Sequence, residues 1–177
     1  MQNRKKTYLS GFVLTPSVFV LFFLSCSFAN GQTAPSAIPK ADARVASALK
    51  ETNTEFEVSS KDGGYKITYA TKGNRTQVTH AASGTETIHG VEMRLIFSFA
   101  MIAKTSPTQQ TANMLLQANM ETVGLWGLQK LDDGSYAVVK LLYVPADAGG
   151  KQLEGALMSV ATLADEMEEK LTKKDVN

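Results

Sequence analysis

His80 and His89 are the only imidazoles in the 177-residue chain. They stand nine residues apart across a run of small polar side chains, and a hairpin there would bring them toward one end. With Glu86 or Glu92 as a third ligand, such a set would suit a divalent metal or acid–base work. The spacing matches no standard ligand pattern, and two ordinary loop and strand-end histidines fit the same residues. Ser83-Gly84 offers a hydroxyl, but no base and orienting acid stand with it in a recognisable order. Asp132-Asp133-Gly134 opens like a calcium loop and lacks the spaced acids and closing glutamate of one; between two apolar runs it reads as a hairpin turn. No catalytic set, metal site or cofactor site assembles, and the expectation is a protein that is not an enzyme.

Other residues suit contact rather than reaction. Trp126, flanked by Gly124 and Gly127, could anchor a partner at the surface or cover the sheet beneath a helix; the glycines suggest a bulge or a close backbone approach. Met93, Met101, Met114, Met120, Met158 and Met167 fall mostly on core parities, although methionine also serves adaptable binding surfaces. Cys26 is the one cysteine. Phe23-Leu24-Ser25 before it makes a weak version of a bacterial lipobox, so lipidation of Cys26 is the alternative to a plain small residue in a discarded peptide.

That peptide is residues 1–29. Arg4, Lys5 and Lys6 precede the apolar Val18–Leu24, and Ser27-Phe28-Ala29 sets small residues before a cleavage site ahead of Asn30. The pattern is a secretory signal peptide, so the chain is expected to be exported to the periplasm or the medium. A membrane role arises only if the signal stays uncleaved or Cys26 carries lipid. Processing would leave 148 residues, one domain's worth, and take the formal charge from +1 to −2. A near-neutral chain argues against nucleic acid as the partner.

The elements that would position these residues follow from periodicity. Residues 30–40 read as a flexible leader, 41–171 as a single domain and 172–177 as a solvated tail. Residues 40–51 predict a short helix. Strands follow at Phe56–Val58, Tyr65–Tyr69, with Tyr65, Ile67 and Tyr69 on one face, and Thr76–His80; Asp62-Gly63 suits the hairpin turn between the first two. Residues 81–88 read as a loop. His89–Ile102 alternates, with Val91, Met93, Leu95, Phe97, Phe99 and Met101 forming the expected buried parity and Glu92, Arg94, Ile96, Ser98 and Ala100 the wetter one. Ser106-Pro107-Thr108-Gln109 predicts a capped helix start. Val123–Leu131 and Tyr136–Val144 form a hairpin, and Leu153, Leu157, Val160, Ala164, Met167 and Leu171 stripe a last helix. Acids crowd that helix's last turns against its dipole. The fold class is α+β, an antiparallel sheet of about five strands with helices packed on it, in the order α-β-β-β-α-β-β-α.

In its second half the arrangement resembles the bacterial YbjN-like family, whose architecture is shared by type III secretion chaperones. The likeness rests on Val123–Leu131, Asp132-Asp133-Gly134, Tyr136–Val144 and the closing helix Leu153–Leu171, with an acidic, Ala-rich end at 161–169. It implies a sheet with helices on it, often homodimeric, that binds a peptide or protein without catalysis; the export signal departs from the cytoplasmic chaperones. The leading expectation is an exported binding protein. The alternatives are a carrier of a small apolar ligand, held between the sheet and the helices by residues 91–101, and a hydrolase built on His80 or His89.

Overall fold

The computed structural model describes residues 40–172. The signal peptide, most of the leader, Cys26 and the residues after Thr172 lie outside the described residues. The elements are α1 (Ala43–Glu51), β1 (Glu57–Val58), β2 (Tyr65–Ala70), a 3-10 turn (Lys72–Asn74), β3 (Thr76–Ile88), β4 (Val91–Ala103), α2 (Gln109–Ala118), β5 (Leu125–Lys130), β6 (Tyr136–Pro145) and α3 (Gly150–Thr172). The strands form one sheet of six, in the order β1-β2-β3-β4-β6-β5, every pairing antiparallel. The α+β class is as expected, with six strands rather than about five.

Two boundaries differ for local reasons. Residues 81–88 are not a loop. β3 continues through a register shift between Ala81 and Thr85 and turns only at His89-Gly90, both with positive φ. Thr85, Thr87 and Ile88 supply strand preference there, and the ladder runs on past Ser83-Gly84. α2 starts two residues later than the proline suggests, capped by the Thr108 hydroxyl, which accepts from the Thr111 N–H, and not by Ser106.

Cross-strand partners share a face, so the register sorts the sheet into two sides. Tyr65, Ala81, Ile96 and Val144 lie on one of them with Ile67, and close a core with Val45, Ala48 and Leu49 of α1 and Leu153, Leu157 and Val160 of α3. A second cluster joins Ala100, Trp126 and Val138 to Leu115 of α2 and Ala164, Met167 and Leu171 of α3. All three helices thus cover the same side.

The expected parity of β4 is reversed up to the register shift after Phe99, beyond which Met101 packs against the helix-side core as expected. Arg94, Ile96, Ser98 and Ala100 are buried under the helices, whereas Met93, Leu95, Phe97 and Phe99 are only half-buried on the other side. Arg94 can sit inside because its guanidinium finds four acceptors. It donates to the carboxylate of Asp42 (2.6 Å) and to the carbonyls of Ala82, Ser83 (3.1 Å) and Ala146 (3.4 Å). Asp42 is also the N-cap of α1, accepting from Arg44 N–H at 2.9 Å, so one carboxylate starts the helix and pins it to the sheet. The neighbouring arginines hold its carboxyl well below the usual carboxylate range.

α3 approaches α1 closely at its first residue. A Cβ on Gly150 would lie 2.6 Å from the Ala48 carbonyl, and the Gly150 N–H donates to the Glu51 carboxylate at 2.8 Å. The acids near the end of α3 do not all face water. Asp165 is buried and paired with Arg75 of the β2–β3 connection.

Candidate functional site

The side of the sheet away from the helices carries the largest apolar side chains of the two central strands. Its register lines up His80 with Phe97, Leu95 with Tyr143, and Phe97 with Leu141, and Leu125 of β5 joins Leu141 at the margin. The His80 ring stacks on Phe97 at 4.8 Å and 9°, and Phe99 meets both rings edge-on at 6.1 and 5.4 Å. Tyr143 and Leu125 are exposed, at 37% and 59%. Neither buried core cluster includes this face, and among the described residues no helix packs on it. Only the β1–β2 connection rises at one margin, where Glu57, Lys61, Asp62, Lys66, His80 and Phe99 edge a groove of about 560 Å³.

That groove holds His80 near Asp62 and Ser59, yet no hydrogen bond joins His80 to either among the described residues. Asp62 accepts from the Gly64 N–H and Ser59 from the Lys61 N–H, both local turn bonds. Burial of the His80 ring pushes its pKa down, which favours the neutral imidazole. His89 sits at the β3–β4 turn, far along the hairpin from His80. Glu86 accepts from Tyr143 (3.3 Å), and Glu92 is paired with Arg44 (2.8 Å). The structure therefore does not bring the suggested metal set together, and no group of three metal-ligating side chains occurs among the described residues. Ser83 donates to the Gly63 carbonyl (2.5 Å) and accepts from Asp42 N–H (3.1 Å), a linking role. Asp132-Asp133-Gly134 is the β5–β6 turn, with Gly134 at φ +83° and the Asp133 carboxylate accepting from Ser135 N–H and hydroxyl. Of the 91–101 stripe read as a cavity lining beneath the helices, Met93, Leu95, Phe97 and Phe99 face the opposite way, and Met101, past the register shift, packs on the helix-side core.

Trp126 is 6% exposed and belongs to the core beneath α2 and α3, so its reading as a surface anchor is corrected. Its register partner Lys140 faces the helices, and the indole covers it there. The apolar residues around it are the exposed ones. Leu116 and Met120 on the outer side of α2 and its following turn, and Val123 before β5, are 66%, 89% and 70% exposed. This apolar tip runs into Leu125 at the edge of the open face. The sequence signal for it is the i, i+4 spacing of Leu116 and Met120 beside a Val-Gly-Leu run, which is indistinguishable from a core stripe until the neighbours are known.

The tip is held firmly. The Asn119 carboxamide accepts from Trp126 N–H (2.5 Å) and donates to its carbonyl (3.3 Å). Lys140, fully buried, donates to the Thr122 hydroxyl (2.8 Å), which donates to the Ala118 carbonyl at the C-terminus of α2 (2.9 Å). Its ammonium lies 5.1 Å from the Trp126 ring centre. Among the described residues the Thr122 hydroxyl and the indole face are the partners of this cation, and no carboxylate pairs with it. Gly124 completes the turn at φ +80°, where a Cβ would collide with the Leu141 carbonyl. No register shift occurs within the β5–β6 pairing, so the glycines mark a close approach there rather than a bulge.

Burial pushes the Lys140 amine below its ordinary pKa. A depressed folded value means its contribution is fully favourable only above the unfolded pKa of about 10.4 and is lost as pH falls through the folded value. Lys140→Met is therefore expected to raise stability at neutral pH by about 1 kcal/mol, with the gain shrinking toward pH 10. Urea titrations of both forms at pH 7 and pH 10 measure this. A destabilised variant would mean that the Thr122 and indole contacts outweigh the desolvation.

Comparison with protein-family models, curated proteins and solved structures found no match to the chain.

Proposed function

We propose that the chain is an exported, non-catalytic binding protein that takes a peptide or protein partner on the uncovered face of its sheet. One observation carries this reading. The sheet turns its Met-Leu-Phe-Phe stripe of β4 away from the helices and buries an arginine and a lysine beneath them instead. A continuous apolar face exceeding a few hundred Å² on a small domain marks an interaction surface. Methionine and phenylalanine suit a surface that must adapt to a partner.

Export rests on the basic, apolar and small-residue pattern of residues 1–29. Among the described residues no helix is long and apolar enough to cross a membrane. The order of elements, including the Asp132-Asp133-Gly134 turn, Pro145 and the long closing helix, is consistent with a YbjN-like or secretion-chaperone-like type. That likeness would suit a partner-binding role and a homodimer.

Leu125→Asp together with Tyr143→Asp tests the surface. Both positions are already exposed, so the charges should leave the fold intact. Material from the native host carrying both changes is expected to lose a co-purifying partner by at least tenfold, whereas Met158→Asp, on the outer side of α3, keeps it. Retention of the partner by the double variant would refute the surface.

A further inference from the structure

The two edges of the sheet are treated differently. β1 is two residues long and carries the Glu57–Lys66 ion pair (3.2 Å), a short and charged edge of the kind that discourages pairing. β5 is six residues long, has no proline, and exposes Leu125 and Leu128 at 59% and 44%. Its backbone groups alternate in direction. Those of Trp126 point outward, because the Asn119 carboxamide takes both. Those of Leu128 and Lys130 point the same way by parity, and no hydrogen bond reaches them among the described residues.

Asn119 does at Trp126 what the peptide group of a further strand would do, accepting from the N–H and donating to the carbonyl. The recognition chemistry of this edge is thus already filled at one position and open at the next two. We propose that the outer edge of β5 receives an extended peptide segment of the partner as a seventh strand, paired with Leu128 and Lys130, and that Asn119 fixes where that strand must stop. The inference rests on the binding role proposed above. Main-chain bonds would supply affinity. Alternate side chains of the added strand would fall toward Leu125 on one side of the sheet and toward Leu128 and α2 on the other.

The test uses the full chain and a synthetic peptide selected on it from a random twelve-residue library. The selected peptide is expected to be free of internal proline and to alternate apolar residues. Leu128→Pro removes an outward N–H without touching the β6 ladder, and should weaken binding at least tenfold, whereas Leu128→Thr keeps affinity within threefold. N-methylation of one backbone amide of the peptide should weaken it equally, and this measurement decides the matter if the proline variant does not fold. On Asn119→Ala, a peptide two residues longer at the Trp126 end should gain affinity that the parent does not show; no gain overturns the stop. Undiminished binding to Leu128→Pro and to the N-methylated peptide, with binding lost in the Leu125→Asp, Tyr143→Asp variant, overturns the edge and leaves the open face standing. Failure of the library to yield any binder, or binding indifferent to both sets of changes, overturns the binding role as well. A concentration-dependent dimer of the free chain that Leu128→Pro abolishes would assign the edge to a second copy and refute the peptide.

Discussion

Arg94→Ala is expected to lower the unfolding free energy by about 3–5 kcal/mol, the range for breaking a buried charge pair from one side. Arg94 is 1% exposed, and its guanidinium serves Asp42 and the carbonyls of Ala82, Ser83 and Ala146. Removing it leaves Asp42 to Arg44 alone and strands three carbonyls in or near the core. Because Asp42 caps α1, the loss should spread to the α1–α3 contact, and amide exchange across Ala43–Glu51 should rise with the global change. Arg94→Lys cannot reproduce the planar fork, so it should recover less than half of the loss. A urea midpoint unchanged by Arg94→Ala would contradict the buried network.

The second large effect is at the other end of the helical layer. Asp165, with a side chain 4% exposed, accepts from Thr71 hydroxyl (2.9 Å) and from Arg75 (2.9 and 2.7 Å). Arg75, chiefly by these bonds, holds the Asp165 carboxyl below its ordinary pKa. Arg75→Ala leaves the carboxylate buried with one hydroxyl, and stability should fall by about 2–3 kcal/mol, less than for Arg94 because Arg75 is 36% exposed. A depressed folded value gives stability that is present above the unfolded pKa of about 3.9 and is lost as pH falls through the folded value. The parent should therefore lose this contribution in acid, and the difference between parent and Arg75→Ala should narrow below pH 4. Asp165→Asn added to Arg75→Ala should restore part of the loss by removing the unpaired charge. Urea titrations from pH 3 to 7 measure all three, and a pH-independent gap would argue against the pair.

Much of this fold was legible in the residues. Leu153 through Leu171 recur at helical spacing and form α3, and the Asp-Gly turns at 62–63 and 132–134 lie where two hairpins close. β4 is the exception. Its alternation predicts Met93, Leu95, Phe97 and Phe99 inside, because a face with Arg94 and Ser98 reads as wet. The partners that make that face tolerable come from distant segments, Asp42 from α1 and Ala146 beyond β6, and no local pattern reports them. Lys140 is hidden for the same reason, since its partners are the Thr122 hydroxyl beyond α2 and the face of an indole rather than an acid. Trp126, open between anchor and cover, is cover. The open face and the α2–β5 tip became recognisable only once the helices were known to lie together on one side.

A photo-crosslinking residue placed at Tyr143, on the open face, tests this account most directly when compared with the same residue at Met158 on α3, each installed singly in the full chain and irradiated in the native host. Polypeptide adducts are expected from position 143, reduced by Leu125→Asp, and none above background from position 158. Adducts from 158 alone, or equal adducts from both, would contradict it.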